Sequence, residues 1–113
     1  MIEAKIEQLV KRLIEKNENS TIHWDLAPLK KRAFQTYTPN NTIEISEELT
    51  SDGEVYRLSL FDGTGAEIES VVDRQLIKHF PVAAMGMKQL YLAARRVSNN
   101  VDKQIDEIMS ALQ

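Results

Sequence analysis

Val55-Tyr56-Arg57-Leu58-Ser59-Leu60-Phe61-Asp62-Gly63-Thr64-Gly65-Ala66-Glu67-Ile68-Glu69-Ser70-Val71 is the stretch that decides the fold. Tyr56, Leu58 and Leu60 alternate with Arg57 and Ser59, the period of a strand with one face buried. Asp62-Gly63-Thr64-Gly65 concentrates turn formers, and the alternation resumes from Ala66 to Val71. Strand, tight turn and strand read as a β-hairpin, with Ile68 facing inward and Glu67 and Glu69 outward.

Upstream of this hairpin the same period recurs three times. Thr42-Ile43-Glu44-Ile45-Ser46 alternates, and Pro39-Asn40-Asn41 before it is a turn signal. Phe34-Gln35-Thr36-Tyr37-Thr38 is a further short strand, and Thr21 to Leu26 is the first, ending before Pro28. The connections are short, which predicts a five-stranded antiparallel meander. One face carries Ile22, Trp24, Leu26, Phe34, Ile43, Ile45, Tyr56, Leu58, Leu60 and Ile68. The other carries His23, Asp25, Gln35, Tyr37, Glu44, Ser46, Arg57 and Ser59 and is expected to stand open to water.

Helical periods flank the meander. Ile2, Ile6, Leu9, Val10, Leu13 and Ile14 form one stripe, and Lys16 to Ser20 reads as a helix stop. Leu76 to Phe80 reads as at most a helical turn, and Pro81 suits the first turn of a helix. Beyond it Leu90, Ala94, Val97, Val101, Ile105, Ile108 and Leu112 hold one stripe, so the spacing predicts a long helix from Val82 to Leu112. Asn99-Asn100 opposes a continuous helix, and a break with a fresh start near Asn100 is the alternative. The fold class is therefore α+β. A single domain over residues 1–113 is expected, with the N-terminal and C-terminal helices on one face of the sheet.

The order of Trp24, Phe34, Tyr56-Arg57-Leu58-Ser59-Leu60-Phe61-Asp62 with its Gly turn, and Leu90-Tyr91-Leu92-Ala93-Ala94-Arg95-Arg96 resembles a group of short, uncharacterised bacterial proteins laid out as helix, strand meander and helix. That resemblance implies the fold and no activity.

Composition narrows the function classes. The chain of 113 residues is 42% hydrophobic and 27% charged with a formal net charge of −3, ordinary for a globular protein. Cysteine is absent, which excludes disulfides, thiolate chemistry and cysteine-based zinc sites. Charges interrupt the opening residues from Glu3, and no apolar run approaches a membrane span. A cytoplasmic location without membrane attachment is the expectation.

No residue pattern carries catalysis or a cofactor. Asp62-Gly63-Thr64-Gly65 joins two strands and lacks the Gly-Lys-[ST] of a phosphate loop. His23 and His79 stand in no metal-ligand spacing, so neither metal nor cofactor is expected. His23, Asp25, Tyr37 and Arg57 share the polar side of the sheet and form the candidate small-ligand face. Lys30-Lys31-Arg32 with Arg95-Arg96 would make a nucleic-acid contact if the fold joined them. The modest overall charge opposes that reading.

Charge segregation is more informative. Residues 44–73 carry nine acids against Arg57 alone, while residues 74–96 carry Arg74, Lys78, Lys88, Arg95 and Arg96 with no acid. Such a chain is suited to binding itself or a charged protein; the alternative is that the sheet edge and the helix neutralise each other within one monomer. A 31-residue helix would span about 46 Å and overhang a five-stranded sheet at about 4.8 Å per strand, whereas a break at Asn99-Asn100 would let both pieces fold back onto the sheet. The sequence therefore favours a non-enzymatic interaction or regulatory module, self-associating as a homodimer or acting as a small partner subunit. Its candidate contacts are Arg95, Arg96, Val101, Ile105, Ile108 and Met109.

Overall fold

The structure, a computed structural model, describes residues 2–19, 21–28, 30 and 32–113. Helix α1 (Ile2–Glu18) is followed by strands β1 (Asp25–Leu26), β2 (Ala33–Tyr37), β3 (Thr42–Thr50), β4 (Gly53–Phe61) and β5 (Glu67–Val72). Helices α2 (Asp73–Leu76), α3 (Pro81–Ser98) and α4 (Val101–Ala111) complete the chain. The strands form one five-stranded antiparallel sheet in the order β1-β2-β3-β4-β5, so the fold is an α+β meander.

Turn chemistry sets the register of the central hairpins. Thr50 pairs with Gly53 across a two-residue turn, and Gly53 adopts φ +112°, a conformation that a Cβ would strain. The Thr50 hydroxyl donates to the Gly53 carbonyl at 2.6 Å. Between β4 and β5 the Asp62 carboxylate accepts from the Thr64 amide at 2.9 Å, the Thr64 hydroxyl at 2.6 Å and the Ala66 amide at 3.1 Å. These donors hold its carboxyl below the usual carboxylate range.

The core lies between the sheet and α1, α2 and α3. Helix α3 crosses β2, β3 and β4, and α1 packs alongside α3. A Cβ on Gly86 would lie 3.1 Å from both Val10 Cγ1 and Ile14 Cδ1, so this glycine permits the close approach of the two helices. Ile6, Val10 and Leu13 of α1 join Trp24, Phe34, Ile45, Leu58, Val71, Met87 and Leu90 in one buried cluster. Trp24 is fully buried, and its indole N–H donates to Asn17 Oδ1 at 2.9 Å, tying the end of α1 to the sheet edge.

Three expectations change in detail. The first strand is shorter than Thr21–Leu26, because only Asp25 and Leu26 pair with Gln35 and Phe34; Leu26, at the edge, is exposed. A β-bulge between Leu60 and Phe61 shifts the β5 register. Glu69 then pairs with Leu60 and Val71 with Leu58, while Ile68 is exposed and does not face the core. The face expected to be open also buries part of its polar row. Glu44 lies on the central strand β3 between Gln35 and Ser59, and its side chain is 3% exposed. Lys30 Nζ and Gln35 Nε2 each donate to one of its carboxylate oxygens at 2.8 Å.

The C-terminal helical stripe divides at Asn99-Asn100. Asn100 takes a left-handed conformation, φ 51° and ψ 45°, which ends α3 and redirects α4. Helix α3 lies on the sheet as expected; α4 touches little besides α3 and buries none of its residues. The radius of gyration is 15.1 Å, above the roughly 13 Å of a compact chain of this length. A projecting α4 accounts for the excess.

Candidate functional site

The junction of α3 and α4 is built from its first turn outward. Arg96 donates to Asp102 Oδ1 at 2.5 Å, and the Gln104 side chain donates to the Asn99 carbonyl. Asp102 also sits in the first turn of α4, where the helix dipole favours an acid. Val101 is half-buried and shares with Leu92, Ala93, Arg95 and Arg96 the lining of a shallow depression of about 390 Å³. Beyond this anchored turn the helix is free of the body. Ile105, Ile108, Met109 and Leu112 are between 44% and 81% exposed and fall on one side of the helix. Of the candidate contacts, Arg95, Arg96 and Val101 line the depression at the junction, and Ile105, Ile108 and Met109 share the exposed side of α4.

A second cluster, on the helix side of the sheet, was not legible in the sequence. Glu47 Oε2 accepts the Tyr56 hydroxyl at 2.9 Å, and its Oε1 accepts Arg32 Nη1 at 3.0 Å. Tyr91 of α3 sits 5.5 Å, centroid to centroid, from both Tyr56 and Phe34. The Arg95 guanidinium lies 5.9 Å from the Tyr91 centroid. Burial, followed by the hydrogen bond to Glu47, pushes the Tyr56 phenol up to about 12. Burial and the Glu47 charge also raise Tyr91, partly offset by Arg95 and Arg32. Alternation places Glu47 on the same side as Ile45, a signal that its charge conceals.

The other sequence-derived sites are less well assembled. Lys30 is engaged by Glu44, Arg32 by Glu47 and Arg96 by Asp102, while Lys31 lies outside the described residues. On the polar sheet face, His23 Nε2 meets Asp25 Oδ1 at 2.9 Å, both well exposed, and the Tyr37 hydroxyl donates to Gln35 Oε1 at 3.1 Å. Arg57 donates instead to Glu48 at 2.6 Å and Ser70 at 2.8 Å. It stands three strands from Asp25, a separation of about 14 Å, so these four residues do not converge on one small ligand.

Among the described residues no three His, Cys, Asp or Glu side chains cluster as a metal site would require. No described helix is long and apolar enough to cross a membrane. No protein-family model, curated protein or solved structure matches the chain.

Proposed function

We propose that this protein is a non-enzymatic protein-interaction module whose contact element is α4, with Arg95 and Arg96 at its base. One observation carries the reading: α4 buries none of its residues yet holds Ile105, Ile108, Met109 and Leu112 in a single exposed stripe. An isolated helix of 11 residues is marginal in water, and most helical stability comes from packing an amphipathic face. A contiguous exposed apolar surface of this kind marks an interaction site. The nucleic-acid reading draws less support, because Lys30, Arg32 and Arg96 are each paired with a carboxylate.

The test is affinity capture from nuclease-treated lysate of the source organism at moderate salt, with the native chain and an Ile105→Asp/Ile108→Asp variant as baits. The expected result is a stoichiometric protein, another copy of the chain included, retained by the native bait and lost with the variant. Equal retention by both baits, or recovery only from a parallel lysate left without nuclease, would overturn the proposal.

A further inference from the structure

We infer that the occupant of the α4 stripe is a second copy of this chain. Its α4 seats on the outward face of α3, and the exchange is reciprocal about a two-fold axis. The inference rests on the reading of α4 as the contact element and names its partner.

The outward face of α3 is the complement of α4 in apolarity, length and charge. Val82, Met85 and Leu92 recur there with helical spacing and are between 39% and 75% exposed. From Met85 to Arg96 this face runs about 16 Å at 1.5 Å per residue, the same as the 11 residues of α4. Helix α3 carries Lys88, Arg95 and Arg96 with no acid of its own, although Glu54 and Asp73 line the same depression as Met85 and Lys88, whereas α4 carries Asp102, Asp106 and Glu107 against Lys103. At 100° per residue, Lys88 and Arg95 border one edge of the α3 stripe, and Asp106 borders one edge of the α4 stripe, beside Asp102, which its own chain's Arg96 engages. Apolar stripes with opposite charges on their borders give both attraction and register.

The competing seats are less favourable. Two α4 helices packed on each other would oppose acidic borders. Folding back onto its own α3 is opposed by the left-handed turn at Asn100 and the Arg96–Asp102 contact, which hold α4 away from the body. A two-fold pair in which each α4 covers the other copy's α3 closes both apolar faces at once, the isologous arrangement most homodimers use.

The chain has no cysteine, so introduced thiols report alone. A full-length chain carrying Gln89→Cys, at the middle of the α3 face, is mixed with a differently tagged chain carrying Ile108→Cys, then oxidised. The expected product joins one chain of each kind. Lys88→Glu with Arg95→Glu is expected to weaken self-association, followed by sedimentation, at least about tenfold, and Asp106→Lys to restore part of it. Three results would overturn the inference: Ile108→Cys chains linking only to one another, a link within a single chain carrying both thiols, or a native chain monomeric at micromolar concentration. If the last occurred while Ile105→Asp/Ile108→Asp still abolished capture of another protein, the interaction reading would stand and the second copy alone would be rejected.

Discussion

Raising the pH through the range where Tyr56 ionises should loosen the contact between β4 and α3. Tyr56 is 4% exposed and gives its only phenolic proton to Glu47, so the tyrosinate is disfavoured by burial and by the adjacent carboxylate. Its folded value is raised from 10.0 to about 12. Because the folded chain holds the proton more tightly than the unfolded chain, this contribution is fully present below pH 10 and is lost as the pH passes through about 12. Two pH units correspond to about 2–3 kcal/mol at 1.36 kcal/mol per unit. Replacing Tyr56→Phe removes the hydrogen bond, at about 1 kcal/mol near neutrality, but also removes the group that titrates. Urea denaturation of both proteins at pH 9 and pH 12 measures the difference. The native chain should lose about 2–3 kcal/mol more than the variant, and the native-minus-variant tyrosinate absorbance should rise near pH 12. Parallel losses in the two proteins, or a difference absorbance rising near pH 10 with the fold intact, would refute the placement of Tyr56 against Glu47.

Further outcomes follow from burial. Leu90→Ala, at a fully buried position of α3, should cost about 2–5 kcal/mol by urea denaturation, while Ile108→Ala on α4 in dilute solution should cost under about 0.5 kcal/mol. Asn17→Ala strands the buried Trp24 indole N–H and should cost about 1–3 kcal/mol, with a changed tryptophan emission before unfolding. Asn100→Ala places a poor left-handed residue at the α3–α4 turn and shifts it by about 1–2 kcal/mol toward a continuous helix. Far-ultraviolet circular dichroism should then show added helix, and an unchanged spectrum would contradict the role of Asn100.

The meander was legible because alternation and turn residues are local signals. Asp62-Gly63-Thr64-Gly65 and Pro39-Asn40-Asn41 marked their turns, and Pro81 marked the start of α3. What the sequence concealed depends on partners distant along the chain. Glu44 is buried because Lys30 and Gln35 cover it from β2 and the loop before it, an arrangement no local pattern encodes. Ile68 leaves the core because a bulge between Leu60 and Phe61 reverses which side of β5 faces inward. The break at Asn99-Asn100 was legible as an alternative to a continuous helix. That the second piece would stand away from the sheet was not, since an amphipathic stripe reads alike whether it covers its own sheet or another surface. Arg95 and Arg96 were legible as a charge pair, but the stacking of Arg95 on Tyr91 and the pairing of Arg96 with Asp102 required the fold.

Hydrogen exchange of the α4 amides, compared with those of α3 over a range of protein concentrations, tests the central claim most directly. The account predicts fast exchange throughout α4 in dilute solution and marked slowing as the chain is concentrated, with α3 protected throughout. Protection of α4 equal to that of α3 at high dilution would show the stripe covered within its own chain and would contradict the account.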